Sequence, residues 1–215
     1  MKLSGQTLRF SASDLANYLS CRHLTILDLL LARKEIAPPS WDNPHAHVLQ
    51  ERGLAHERAY LDHLGGKGLS IVDLSNEKDE RSAASTFDAM RRGDPVIVQA
   101  VLDDGAWRGR ADVLLRVDNT RICRFGNWSY EPVDCKLARE TKAETILQLC
   151  LYCELITSLQ GVEPEFFHVI RPEVEFAPES YRVASFAAYS RLIKKELENA
   201  VAALGIVLSI SGGAQ

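Results

Sequence analysis

The stretch from Val96 to Gln160 constrains the fold more than any other part of the chain. Val96-Ile-Val-Gln-Ala-Val-Leu102 is β-branched and apolar, the composition of a buried strand. Asp103-Asp-Gly105 marks a turn, Trp107 to Val117 resumes strand character, and Asp118-Asn-Thr120 reads as a second turn. Ser129 to Lys136 is a third strand, with Pro132 an irregularity inside it. Thr141 to Gln160 then carries the periodicity of a long amphipathic helix, ended by Gly161. Strands in succession with such a helix after them require a sheet with helices packed against it.

The flanking segments extend this pattern. Ser11-Ala-Ser13-Asp14 supplies capping residues for a helix over about 14–33, broken in two near Cys21 and ended before Pro38-Pro39. Val48 to Leu64 reads as a second helix stopped by Gly65-Gly66, Gly68 to Leu74 as a short strand, and Lys78 to Arg92 as a charged helix closed by Gly93. Pro164 to Ile170 is a further strand and Ser185 to Leu204 a final helix. The expectation is an α/β or α+β chain, with α/β preferred, and a small mixed central sheet flanked by helices. Its N-terminal part (1–66) is helical, its core spans 94–170, and a helix over 185–204 closes it. At 215 residues, with no internal repeat, a single domain is expected.

Composition removes several classes. An apolar share of 46% with 25% charged residues is that of an ordinary globular chain. The longest apolar stretch, Ile26 to Ala32, is interrupted by Asp28 and falls far short of the roughly 20 residues of a membrane span. Met1 to Phe10 lacks the apolar core of a signal peptide, so a cytoplasmic location without membrane contact is expected. Cys21, Cys123, Cys135, Cys150 and Cys153 are odd in number and irregularly spaced, which in a reducing compartment reads as free thiols. The net charge of −4 argues against gripping nucleic acid by bulk charge alone. Carboxylates that bind a divalent cation would make that count too negative.

A few residues stand out chemically. Asp134 and Lys136 flank Cys135 at strand spacing, so they project to one side. Asp112 interrupts the apolar run Ala111–Leu115, where an unpaired carboxylate is costly. Its partner is either Arg110 or Arg116, or a cation shared with a neighbouring strand; paired carboxylates suit Mg²⁺ or Mn²⁺. Gly53-Leu-Ala-His56-Glu57 places an imidazole on the second helix, where a structural or exposed role competes with ligation. An imidazole beside two carboxylates shifts preference towards Mn²⁺. Gln148 and Tyr152, four apart, share a helix face that also suits a half-buried seam. Glu131 is a further acid, but on a regular strand it faces away from Asp134.

In this order Gly53/His56, Gly109/Asp112, Asp134/Lys136 and Gln148/Tyr152 resemble the RecB-like branch of the PD-(D/E)XK nuclease superfamily. Its motifs are G-x-x-H, G-x-x-D, (D/E)-x-K and Q-x-x-x-Y. Ser11-x-Ser13-x-Leu15-x-x-Tyr18-x-x-Cys21 and Tyr130-Glu-Pro-Val-Asp-Cys-Lys-Leu-Ala-Arg139 are similar to segments of that branch, and the likeness covers roughly residues 11–170. The resemblance implies a restriction-endonuclease-like core that hydrolyses DNA phosphodiester bonds in repair, recombination or defence. It implies catalytic roles for Asp112, Asp134 and Lys136. His56, Asp112, Asp134 and the carbonyl of Cys135 would hold Mg²⁺ or Mn²⁺, and Gln148 and Tyr152 would contact substrate. Some members carry an iron–sulfur cluster on one upstream and three downstream cysteines. No cysteine follows Cys153, so no cluster is expected. The end at Gly212-Gly-Ala-Gln215 has no clear cap, as in a domain detached from a larger architecture or a short stand-alone member; a helicase or further domains are then possible partners besides DNA. The alternatives are an inactive nuclease-like DNA-binding or helicase-associated scaffold, and a hydrolase of small phosphate compounds. No nucleotide-cradling glycine loop supports the last.

Overall fold

A computed structural model of the chain describes residues 1–5, 7–40, 44–172 and 174–211. In chain order the elements are β1 (Lys2–Ser4), β2 (Thr7–Arg9), α1 (Ala12–Ser20), α2 (Arg22–Ala32), α3 (Pro44–Gly66), β3 (Ile71–Asp73), α4 (Asp79–Arg92), β4 (Val96–Asp103) and β5 (Arg108–Cys123). They continue with β6 (Gly126–Cys135), α5 (Ala143–Gln160), β7 (Phe166–Ile170), β8 (Glu179–Arg182) and α6 (Ala187–Ser211). Among the described residues β3 to β8 form one sheet in sequence order, parallel at β3/β4 and β6/β7 and antiparallel elsewhere. The architecture is mixed α/β, a central mixed sheet flanked by helices. No described helix is long and apolar enough to cross a membrane.

Alternation of side chains divides the core between the sheet's two faces. Ile97, Leu114, Phe167 and Val169 join the larger cluster, with Leu147, Leu151 and Leu155 of α5 and residues of α1, α2, α4 and α6. Val96, Val98, Val113, Val133 and Ile170 turn the other way, against Tyr60 and Leu64 of α3. Burying both faces is what makes β4 read as a continuous apolar run rather than an alternating one.

At one place β4 and β5 both change step. Val98 pairs with Val113 and Ala100 with Ala111, but the ladder is interrupted between them at Gln99 and Asp112. Gln99 has φ 54, the left-handed region that a non-glycine residue enters at a cost. Beyond the break Ala100, Leu102 and Ala111 lie in the larger cluster with Ile97 and Leu114, an odd step that a regular strand cannot make. Asp112 therefore sits at a deliberate irregularity, not in a plain strand interior.

Most expected elements are present with shifted ends. The first helix is indeed broken at Cys21, whose backbone is extended between α1 and α2. Ser11 and Asp14 close the start of α1: the Asp14 carboxylate accepts the Ser11 backbone N–H at 2.7 Å. α3 begins earlier than expected and absorbs Gly65-Gly66, and the strand expected over Gly68–Leu74 shortens to Ile71–Asp73. The expected turn at Asp118-Asn-Thr120 is corrected. β5 runs on to Cys123 with a register shift against β6 between Asp118 and Cys123, and the reversal follows at Arg124-Phe125. Asp118 is held on the strand by a 2.7 Å ion pair with Arg116. The β1–β2 hairpin and β8 were not expected. Cys150 and Cys153 are buried in α5 as packing residues, and the cysteines are free thiols among the described residues.

Candidate active site

Four segments far apart in the chain meet at one end of β5 and β6. Val113 pairs with Val133, which sets Asp112 and Asp134 side by side on adjoining strands. Oδ2 of Asp112 accepts the backbone N–H of Cys135 at 3.0 Å. Neither Arg110 nor Arg116 is its partner: Arg116 is engaged with Asp118 and the Gly93 carbonyl, and the Arg110 side chain is exposed. Asp134 is 1% exposed. Its Oδ1 accepts Gln148 Nε2 at 3.3 Å, and its Oδ2 has the Lys136 ammonium at 2.9 Å but no well-formed hydrogen bond. β6 ends at Cys135. The Lys136 backbone N–H still donates to the Ile170 carbonyl at 2.9 Å, and this holds the lysine on Asp134's side.

α5 supplies the other wall. Gln148 Nε2 also donates to Tyr152 Oη at 3.2 Å, and the tyrosine hydroxyl meets the Arg110 backbone. The Tyr152 ring lies directly on Gly109, where a Cβ would stand 2.3 Å from Tyr152 Cε1. The first glycine of Gly109-x-x-Asp112 is thus required by close packing of helix on strand.

Burial sets the electrostatics. Removal from water, then the charge of Asp134, push the Asp112 carboxyl up to about 8, against the pull of the Cys135 N–H; Glu57 adds to the rise. Burial raises the Tyr152 hydroxyl as well, helped by Asp134 and Asp112. The Cys135 thiol is raised by burial, then by Asp112, Glu57 and Asp134, so it stays a neutral thiol and not a nucleophile. Two carboxylates that resist sharing negative charge are a donor set that a divalent cation suits.

His56 stands apart from that pair. Its Nε2 lies 3.1 Å from the Ile170 carbonyl, and its ring stacks on Phe176 at 5.9 Å. This places it beside Cys135, which pairs with Ile170, at the rim of the site rather than on the carboxylates. Among the described residues no three His, Cys, Asp or Glu side chains form a ready metal cage. Glu131 faces away as expected, accepting the Phe166 N–H at 3.0 Å and pairing with His168 at 2.9 Å.

Two residues near the site went unassigned from sequence. Gln99 Nε2 donates to Glu57 Oε1 at 2.8 Å, spanning from the interrupted strand to α3. Glu57 was visible only as the neighbour of His56. Gln99 carried the same signal as Asp112, a polar residue inside an apolar strand. No protein-family model and no curated protein matches this chain.

Proposed function

We propose that the chain is a metal-dependent deoxyribonuclease of the RecB-like PD-(D/E)XK type, cytoplasmic, cleaving DNA phosphodiester bonds by hydrolysis. The observation that carries the reading is the convergence of Asp112, Asp134, Lys136 and the Gln148–Tyr152 pair, from three separate motifs, into one bonded cluster. Chance motif matches would have no reason to meet.

Asp112, Asp134 and the Cys135 carbonyl would hold Mg²⁺ or Mn²⁺. Such an ion, when bound, supplies a Lewis acid and a more acidic water. Hydrolysis forms a bond from water oxygen to phosphorus and breaks one bridging P–O bond. Lys136, tethered to Asp134, keeps a fixed positive charge where the phosphoryl oxygens gather negative charge. Gln148 and Tyr152 present an amide and a hydroxyl beside it to orient the phosphate. His56 holds the Ile170 carbonyl through Nε2, which leaves Nδ1 as the ring nitrogen that would be offered to an ion. A second reading keeps the same cluster without cleavage, as a DNA-binding scaffold that works beside a helicase.

End-labelled single-stranded and duplex DNA, incubated with Mg²⁺ or Mn²⁺, separates the two. Cleavage by the wild type and its loss in Asp134→Ala and Lys136→Ala support the nuclease. Binding without cleavage selects the scaffold, and activity surviving in both variants sinks the mechanism.

A further inference from the structure

Across the sheet from the candidate active site, side chains from three strands form a second bonded cluster. Glu131 of β6 and His168 of β7 follow Val133 and Ile170 on the face against which α3 packs, and Ser180 of β8 stands opposite His168 in the register. His168 Nε2 lies 2.9 Å from Glu131 Oε2, and His168 Nδ1 lies 2.8 Å from Ser180 Oγ. The other carboxylate oxygen, Oε1, accepts the Phe166 N–H at 3.0 Å, which fixes the glutamate in place.

A carboxylate can only accept a hydrogen bond, so it keeps the imidazole proton on Nε2 and leaves Nδ1 to accept the serine O–H. Exposure rises along the same chain of bonds. Glu131 is buried, His168 half-buried and Ser180 exposed. A buried acid, an imidazole oriented by it and a hydroxyl at the surface are the parts of an activated nucleophile.

The edge position of β8 adds a fourth part. The Val183 N–H donates to the Glu165 carbonyl at 3.1 Å, so the hydrogen-bonded pairs that follow are Phe167/Tyr181 and Val169/Glu179. His168 and Ser180 are then a non-hydrogen-bonded pair, the kind whose side chains come closest. The Ser180 N–H turns outward from the last strand of the sheet, where it can donate to an oxygen that gains negative charge. On the same face the neighbouring pair, Phe166 and Arg182, stacks guanidinium on ring at 5.1 Å and gives the cluster an apolar and cationic flank.

We propose that Ser180, His168 and Glu131 form a catalytic site of their own, a serine esterase for carboxylic esters of small acyl groups. Ser180 Oγ bonds to the ester carbonyl carbon as its proton passes to His168 Nδ1. The bond from that carbon to the alcohol oxygen breaks, and the alcohol leaves with the proton. Water then adds to the acyl-serine and gives a proton to Nδ1; the acid departs as that proton returns to Ser180 Oγ. Glu131 touches no reacting atom and is the positioning residue. A serine at an exposed sheet edge suits small acyl groups, which need no enclosing pocket. The cluster shares no residue with Asp112, Asp134 and Lys136, so it does not rest on the nuclease reading.

The test is hydrolysis of p-nitrophenyl acetate in EDTA, so that no metal-bound water contributes, beside labelling with a fluorophosphonate mapped by mass spectrometry. Wild type should turn the ester over above the buffer rate and carry the label on Ser180. Ser180→Ala and His168→Gln should each lower the rate at least about a hundredfold, with Ser158→Ala, an exposed serine of α5, unchanged. Ser180→Ala removes only an exposed hydroxyl, so it decides the matter even where His168→Gln fails to fold. Glu131→Gln should lower kcat with KM unchanged, because an amide can turn its NH₂ to Nε2 and fix the wrong tautomer. Wild-type turnover at the buffer rate overturns the proposal. So does a rate that survives Ser180→Ala, or a label found elsewhere and not on Ser180.

Discussion

Replacing Asp112 with Asn should stabilise the metal-free protein at neutral and alkaline pH. The amide keeps the shape of the carboxyl and an oxygen for the Cys135 N–H, but it carries no charge to bury. In the fold Asp112 ionises only near 8, against an ordinary value of 3.8, because of burial first and Asp134 second. A raised folded-state value means that the protonated form is favoured. Its contribution is fully present below the unfolded value and is lost as pH rises through the folded one. At about 1.36 kcal/mol for each pH unit passed, the loss by neutral pH is roughly 4 kcal/mol. Water entry and relaxation around the partly buried group take back a share, so a gain on the order of 2–4 kcal/mol is expected for the variant at about pH 8. Urea unfolding in EDTA at about pH 5 and about pH 8 reads this directly. Wild type should lose stability across the interval while Asp112→Asn stays nearly level. A variant less stable than wild type at the higher pH would falsify the claim that this carboxylate is buried at a cost.

The same strain predicts a response to metal. At about pH 8 in saturating Mn²⁺ the wild type should gain roughly 2–3 kcal/mol once the free ion exceeds its Kd about a hundredfold. Asp134→Ala should gain nothing, and a matching melting shift in that variant would place the ion elsewhere. Half-saturation should need less metal as pH rises, since both carboxylates must be ionised to bind; affinity independent of pH from about 6 to 8 would contradict this. Gly109→Ala should cost about 1–3 kcal/mol by driving a methyl group into the Tyr152 ring, 2.3 Å from Cε1 at the starting geometry. Thermal unfolding within a degree of wild type would mean that α5 is not seated as described.

The order of strands and helices was legible because it rests on local signals, such as Gly161 with φ 79 ending α5 and the apolar run of β4. Asp134, Lys136, Gln148 and Tyr152 were legible for a related reason: strand and helix periodicity place each pair on one side, and the packing of α5 on β6 brings the pairs together. The rest depended on contacts that periodicity does not encode. Asp118-Asn-Thr120 looks like a turn in isolation, yet Asp118 is held by Trp128 of β6 and by the Arg116 guanidinium, and β5 pairs with β6 again at Cys123 after a register shift. β8 is only four residues long, and its edge pairing is decided by β7 rather than by its own pattern.

The break at Gln99 and Asp112 shows most clearly why alternation fails at a site. Regular strands there would keep Gln99 on the face of Ile97, away from α3, and could not bring it to Glu57. Entering the left-handed region costs Gln99 about 1–3 kcal/mol, and a single hydrogen bond to a charged partner returns a comparable amount. Local energetics therefore break roughly even and do not explain the distortion. What the distortion accomplishes is to set Glu57 near Asp112 and Cys135, adding its charge to that of Asp134 around a carboxyl that already resists ionising, with Lys136 the only neighbouring ammonium among the described residues. A fold that spends backbone strain to increase an unfavourable charge density has stability in deficit there. On the proposed function a divalent cation held by Asp112 and Asp134 would remove that deficit.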